Sequence, residues 1–170
     1  MATTCAAFLS HDWGTDELGR RTHDRVKRVH EVLRQHGIAT WLDEEEMRGN
    51  IVQRMTEGIE SSTLVLVFVT RNYIDKAAGR GPNGESDNVF REFQFSCLRK
   101  NVAVQLLPVV LEPRCHNQRT WDGAVGFNLG NHLYVSLADD GDFESKVAND
   151  LVPRIRTALA MPSSAHQHHQ

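Results

Sequence analysis

The residues best suited to chemistry follow two short apolar runs, at the point where each run becomes polar. Residues 6–9 lead into Ser-His-Asp-Trp at 10–13, and residues 38–42 lead into Asp-Glu-Glu-Glu at 43–46. Each apolar run has the length and composition of a short strand. In open α/β sheets, ligands bind at the edge formed by the carboxyl ends of the strands. The sequence therefore predicts a ligand site where the two polar segments meet.

Alternating strand and helix patterns predict the fold that would position this site. Residues 64–69 are a continuous apolar, β-branched run, which is typical of a central parallel strand covered on both faces. Regular βα alternation predicts an α/β fold with a parallel sheet, helices on both faces and right-handed crossovers. The predicted strands lie around Phe8 and over 38–42, 64–69, 102–111 and 132–137, and the helices lie around 26–33 and over 51–61, 89–97 and 143–159. We predict one domain over residues 1–160 and a disordered polar tail over 161–170.

Composition and charge argue against several classes of protein. The 170 residues carry a net charge of −3, which gives no overall attraction to nucleic acid or to a membrane surface. No apolar run approaches the length of a membrane span, and the first residues do not resemble a secretory signal. The three cysteines lack metal-ligand spacing and predict free thiols in a reducing compartment. These features predict a cytoplasmic protein without a membrane or nucleic-acid partner.

Common catalytic and phosphate-binding motifs are missing from the sequence. It contains no Gly-x-Gly-x-x-Gly fingerprint, Walker loop or Gly-x-Ser-x-Gly elbow. The third predicted strand ends at Thr70-Arg71, where a phosphoacceptor domain would need an aspartate. The histidines at 166–169 fit a polar tail better than a metal site, so we predict no bound metal and no resident cofactor.

Five segments, in order along the chain, resemble the TIR (Toll/interleukin-1 receptor) domain. They are Phe8-Leu-Ser10, Gly37-Ile-Ala-Thr-Trp-Leu-Asp43, Ile59-Glu-Ser-Ser62, Val67-Phe-Val-Thr-Arg-Asn-Tyr73 and Asn88-Val-Phe-Arg-Glu-Phe93. The resemblance is nearest to plant-type and NAD-cleaving members of the family. It implies a flavodoxin-like fold with a five-stranded, mainly parallel sheet, and it extends from residue 6 to about residue 159.

The resemblance implies that Glu92 is the catalytic residue of an NAD+ hydrolase. Cleavage of the nicotinamide–ribose bond passes through an oxocarbenium-like state, as glycoside hydrolysis does. Nicotinamide leaves as a neutral molecule, so one carboxylate beside the ribose can suffice by stabilising positive charge. Its position alone, without the resemblance, favours a solvated helix carboxylate between Arg91 and Arg99.

The resemblance also implies a set of substrate-binding residues. Trp41 occupies the position of an aromatic that stacks on nicotinamide, although a core tryptophan is nearly as plausible there. Members of the family commonly have an aromatic and then an arginine after the serine, where this chain has His11 and Asp12, so Arg20 or Arg48 would have to supply the positive charge. The predicted substrate-binding residues are Ser10, His11, Asp12, Trp13, Trp41, Asp43, Arg48 and Asn88.

The acidic loop over residues 43–50 has two interpretations. In the family this loop is both a lid over the site and a surface for self-association, whereas most charge runs are simply solvated. The first functional hypothesis is therefore a self-associating NAD+ hydrolase that makes ADP-ribose or cyclic ADP-ribose in signalling and innate defence. The alternative is a non-catalytic TIR–TIR interaction module, and a hydrolase of another N-glycoside would use the same chemistry.

Overall fold

A computed structural model describes residues 5–43 and 51–161 of the chain. Within these ranges the strands are β1 Cys5–Ser10, β2 Thr40–Trp41, β3 Ser62–Val69, β4 Leu106–Val110 and β5 Val135–Ser136. They form one sheet in the order β2-β1-β3-β4-β5, and each neighbouring pair is parallel. This strand order is flavodoxin-like: β2 is added on one side of β1, and β3, β4 and β5 are added on the other, so the order switches between β1 and β3. The predicted α/β fold with a five-stranded parallel sheet is confirmed.

Helices connect the strands on both faces of the sheet. They are α1 Thr22–Gln35, α2 Ile51–Glu60, α3 Arg71–Ala77, α4 Asn88–Arg99, α5 Val102–Gln105 and α6 Gly123–Leu129, followed by a closing helical run of α7 Phe143–Lys146, a π-helical turn Val147–Leu151 and α8 Val152–Ala160. In the described part of the chain, no helix is both long and apolar enough to cross a membrane.

The central strand β3 divides the core into two apolar layers. Leu64, Leu66 and Phe68 point into a layer that α1 and the closing helical run cover. The alternate residues of the strand, valines 65, 67 and 69, point into a second layer beneath α2, α3, α4 and α6. Successive side chains of a strand face opposite sides of a sheet, so a run that is apolar at every position must be buried on both faces.

Several predicted strands are shorter in the structure than in the prediction. The strand predicted over 102–111 begins at Leu106, because residues 102–105 form α5 with Asn101 as its cap. The strands predicted over 38–42 and 132–137 pair only at two residues each. The apolar patterns located these edge strands, but they overstated the length over which backbone hydrogen bonds form.

Helix α3 is an element that the sequence pattern did not predict. The side chain of Thr70 caps this helix by accepting a hydrogen bond from the backbone N–H of Tyr73 at 3.1 Å. The helix is followed by a 3-10 turn, Gly84–Ser86, which leads into α4. The poorly patterned segment 113–130 contains two more 3-10 turns and α6. The predicted lid residues 44–50 and the predicted tail beyond Met161 lie outside the described residues.

Candidate active site

Glu92 lies in a small polar cavity at the carboxyl edge of the sheet. Helix α4 begins after Asp87, whose carboxylate caps it by accepting from the backbone N–H of Val89 at 2.8 Å. Glu92 is just over one turn into this helix and is only 7% exposed, so the solvated alternative for this residue is wrong. The cavity has a volume of about 130 Å³ and is lined by His11, Trp13, Lys76, Asn83, Ser86, Asp87, Asn88, Val89 and Glu92.

Two buried side chains, Ser10 and behind it Tyr73, hold the Glu92 carboxyl group. Ser10, the last residue of β1, donates from Oγ to Glu92 Oε1 at 2.6 Å. The hydroxyl of Tyr73 lies 2.7 Å from the same Ser10 Oγ and is placed to donate to it. Burial raises the pKa of Glu92 to about 8, opposed by the Ser10 hydrogen bond and reinforced by Asp43 and Asp87. The free site therefore favours a protonated Glu92 near neutral pH.

His11 and Trp13 form an aromatic wall with His23 of α1. The Trp13 and His23 rings stack with centroids 3.7 Å apart. His11 Nδ1 lies 3.0 Å from the Leu9 carbonyl oxygen, which can only accept, so Nδ1 carries the ring proton and Nε2 accepts from His23 Nδ1 at 2.7 Å. Burial lowers the pKa of His11 to about 4, which keeps this ring neutral. Both His11 nitrogens are engaged, so this residue offers the cavity a ring face.

Asp12 forms an ion pair with Lys76 of α3 beside the same cavity. Its Oδ1 accepts from Lys76 Nζ, and its Oδ2 accepts from the backbone N–H of Gly14 at 2.8 Å. The side chain of Asp12 is fully buried, whereas that of Lys76 remains 27% exposed. The positive charge at the cavity is therefore carried by a lysine of a helix that sequence reasoning missed.

Comparison with known proteins identifies the family. The family model for the TIR domain matches residues 8–152. The chain belongs to the TIR domain family. Its fold is similar to the crystal structure of the TIR domain of the Toll-related receptor TRR-2 from the lower metazoan Hydra magnipapillata, with a TM-score of 0.57, 16% identity, and coverage of 90% of this chain and 99% of that chain. A search of curated proteins finds no match.

The other predicted binding residues of this TIR domain lie at different distances from the cavity. Asn88 is part of the cavity wall. Asp43 is buried and paired with Arg54 at 2.9 Å, and its charge contributes to the raised pKa of Glu92. Trp41 is partly buried and packs against Gly58, where an added Cβ would lie 2.8 Å from the indole. Trp41 therefore packs against the second layer and is not among the described residues that line the cavity.

The structure describes only one of the two arginines that were predicted to supply the positive charge. Arg48 lies outside the described residues. The guanidinium of Arg20 donates to Asp16 and to the carbonyl oxygens of Leu111 and Ala138, so it braces the loop that follows β1. Among the residues that the structure describes, no group of three or more His, Cys, Asp or Glu side chains is arranged to hold a metal ion.

Sequence reasoning missed Asn83, Ser86 and Val89 of the cavity wall, and it missed three residues that set the charge and hydrogen bonding of the site. Lys76 and Tyr73 are on α3, and Asp87 caps α4. The available signals were local: Thr70 and Asp87 are good N-cap residues, each preceding a run compatible with a helix. Recognition of the Thr70 cap would have placed Tyr73 and Lys76 on one helix face, three residues apart, after the central strand.

Proposed function

We propose that this TIR domain cleaves the nicotinamide–ribose bond of NAD+ as part of a signalling response, with release of nicotinamide and of ADP-ribose by hydrolysis or cyclic ADP-ribose by cyclisation. The observation that carries this proposal is the position of Glu92, a buried carboxyl group held by Ser10 in a polar cavity at the carboxyl edge of β1. Ligands of open α/β sheets bind at this edge. Perturbed carboxyl groups in such clefts are often catalytic.

The raised pKa of Glu92 suits a cationic substrate. In the free site the buried carboxyl group favours its neutral form. The positive charge of the nicotinamide ring favours the ionised form, so substrate binding is expected to release the proton of Glu92. When the bond from the ribose C1′ to nicotinamide breaks, its electron pair moves to the ring nitrogen. The Glu92 carboxylate then stabilises the positive charge that remains on the ribose until water, or another nucleophile, adds to C1′ and loses a proton.

The cavity accepts only part of a dinucleotide. Pockets for drug-sized ligands measure about 300–1,000 Å³, well above the volume of about 130 Å³ found beside Glu92. We therefore infer that the nicotinamide ribose enters this cavity and that the adenosine half remains outside it. In the family, a neighbouring protomer completes the site, which is consistent with activity that depends on self-association.

An exposed apolar groove supports TIR–TIR association, on which the alternative function, an interaction module, would depend. Leu98 on α4 and Phe127 on α6 are 78% and 90% exposed, and Val52 on α2 is 49% exposed. Together with their neighbours, Leu98 and Val52 line a groove of about 830 Å³ on the face covered by these helices. Exposed apolar patches commonly mark sites of protein association. This groove supports self-association both for an enzyme and for an interaction module.

Nicotinamide release from NAD+ tests the proposed function directly. We expect release by the wild-type chain to increase more than linearly with protein concentration, and Glu92→Gln to reduce the rate by at least about 100-fold. Glu57→Gln, which alters an exposed carboxylate on α2, is the matched control and should retain the rate. Proton NMR follows the products, and circular dichroism checks the fold of each variant.

Two outcomes would contradict catalysis at Glu92. Equal rates for the wild type and Glu92→Gln would remove the assignment of this residue. The interaction module would be left as the function if the wild-type chain releases no nicotinamide at any concentration, yet forms oligomers that the Leu98→Ser substitution abolishes.

A further inference from the structure

We propose that Lys76 is the phosphate-binding residue of the Glu92 cavity and takes the 5′-phosphate attached to the nicotinamide ribose. This inference rests on the proposed function, because it assigns the substrate group that lies next to the reacting bond. It is carried by the ion pair of Lys76 with buried Asp12 and by the presence of Lys76 and Glu92 in the wall of one cavity.

Asp12 holds the lysine in place from beneath. The carboxylate of Asp12 is fully buried and receives the backbone N–H of Gly14 at 2.8 Å and the side-chain amide of Asn72 at 3.3 Å. An added Cβ at Gly14 would lie 2.9 Å from Asp12 Oδ2, so the backbone approaches this carboxylate as closely as glycine permits. With Asp12 fixed by the Gly14 and Asn72 hydrogen bonds, its partner ammonium has a defined position at the cavity wall.

The ammonium of Lys76 retains the capacity to bind a ligand. An ammonium group has three N–H donors, and Asp12 Oδ1 accepts from it as part of the ion pair. The side chain is 27% exposed, and Lys76 lines the cavity. A phosphate oxygen can therefore accept from this group without breaking its contact with Asp12, and such charge-assisted hydrogen bonds are among the stronger ones.

Charge is distributed unevenly across the cavity. Glu92 and the capping residue Asp87 belong to the α4 side, whereas Lys76 belongs to α3. The nicotinamide half of NAD+ has a matching arrangement, with a cationic ring and an anionic phosphate on opposite ends of one ribose. Because the cavity is small, the phosphate beside Lys76 must be the one on this ribose. A 2′-phosphate on the adenosine ribose would lie outside the cavity and would not reach Lys76.

Lys76 is the one lysine or arginine among the described residues that line the cavity. His11 and Asp12 stand where the family commonly has an aromatic and an arginine, and Arg20 is engaged by Asp16 and two carbonyl oxygens. Lys76 brings a cation to the same edge of the sheet from α3, the helix that follows β3.

Calorimetric titration with two ligands that differ only in a phosphate tests this assignment without turnover. The Glu92→Gln chain is titrated with nicotinamide mononucleotide and with nicotinamide riboside. With Lys76 present, we expect the mononucleotide to bind about tenfold more tightly, as one charge-assisted contact would provide. In Lys76→Met this ratio should fall to one or below, and in Lys76→Arg it should be retained. Because the ratio compares two ligands on the same variant, a general loss of stability does not imitate the effect.

A double variant separates contact from long-range charge. Lys76→Met alone leaves Asp12 without its cation, which would repel a phosphate, whereas Asp12→Asn with Lys76→Met removes both charges. The inference requires the preference to stay lost in the double variant. The inference is overturned if the preference for the mononucleotide returns in the double variant or persists in Lys76→Met. It is also overturned if the Glu92→Gln chain with Lys76 intact binds neither ligand, or binds both equally. Failure of NAD+ cleavage by the wild-type chain would instead count against the proposed function, since the binding ratio does not depend on catalysis.

Discussion

Two buried glutamates at the same edge of the sheet have opposite surroundings. Glu112 follows β4, is fully buried, and accepts from the backbone N–H of Glu17 at 2.8 Å and of Arg71 at 2.5 Å. It is also paired with Arg114 Nε at 3.0 Å. For the Glu92 carboxyl group, Ser10 is the one hydrogen-bond donor found in the described part of the chain. Instead of a cation, the nearby charges that act on it are Asp43 and Asp87.

This difference separates a structural carboxylate from a catalytic candidate. Glu112 ties together the loop after β1, the start of α3 and the turn Pro113–Cys115, and its charge is offset by Arg114 and by two backbone N–H donors. Glu92 is poorly compensated and destabilises the free protein when it ionises. A carboxyl group that lacks partners in the free protein can gain them from a ligand, which Glu112 cannot do.

The largest expected effect is a pH-dependent gain in stability on neutralising Glu92. The pKa of Glu92 is raised from 4.5 to about 8, so between these values the folded state holds a proton that the unfolded state has lost. The contribution of Glu92 to stability is thus greatest below pH 4.5, falls as the pH rises, and is lowest above pH 8. At about 1.4 kcal/mol for each pH unit between the two values, Glu92→Gln should gain on the order of 4 kcal/mol relative to wild type between pH 5 and pH 9.

Urea unfolding at several pH values measures this gain. The difference between the wild type and Glu92→Gln isolates one group, because the other titrating groups are common to both chains. A variant that is less stable than wild type at pH 9 would mean that the ionised Glu92 has partners in the folded protein, and the contrast with Glu112 would fail.

A smaller loss of stability is expected on removing the Glu112 carboxylate. Glu112→Ala leaves the backbone N–H groups of Glu17 and Arg71 without their acceptor, and an unsatisfied donor costs about 1–3 kcal/mol when buried. We expect a loss of about 2–3 kcal/mol, measured by urea unfolding at pH 7. The matched control is Glu144→Ala, which removes an exposed carboxylate paired with Arg28 at 2.7 Å and should cost less than about 1 kcal/mol. Equal losses in the free energy of unfolding for the two variants would show that Glu112 stabilises the fold no more than an exposed carboxylate does.

The sequence predicts the centre of this fold better than it predicts the candidate site. The run 64–69 is apolar at every position, and this pattern requires burial on both faces wherever the strand lies. Helix α3 was missed because its seven residues are too few to show a helical period, and only Tyr73, Ile74 and Ala77 are buried. The missed helix is the one that brings Tyr73 and Lys76 to the site.

Contacts between distant segments explain what remained unpredictable. Ser10 and Glu92 are 82 positions apart, and their hydrogen bond depends on how α4 packs beside β1. The resemblance to the family indicated Glu92, but no local pattern shows whether its side chain is buried. In the same way, the stack of Trp13 on His23 depends on the packing of α1, so Trp13 could be predicted at the sheet edge but not as part of an aromatic wall.

The smallest expected effect concerns the single hydrogen bond that holds Glu92. Ser10 donates to the carboxyl group and lowers its pKa, so Ser10→Ala should raise that pKa further, by about one pH unit for a hydrogen bond to a charged group. Tyr73→Phe removes only the contact behind Ser10 and should raise the pKa less. Carboxyl-carbon NMR of labelled glutamate follows this titration in the absence of substrate. If NAD+ cleavage is confirmed, the acidic limb of its pH profile should move in the same direction and order. An unchanged Glu92 pKa in Ser10→Ala would mean that burial and the charges of Asp43 and Asp87 alone set the pKa of the site, and that Ser10 only orients the carboxyl group.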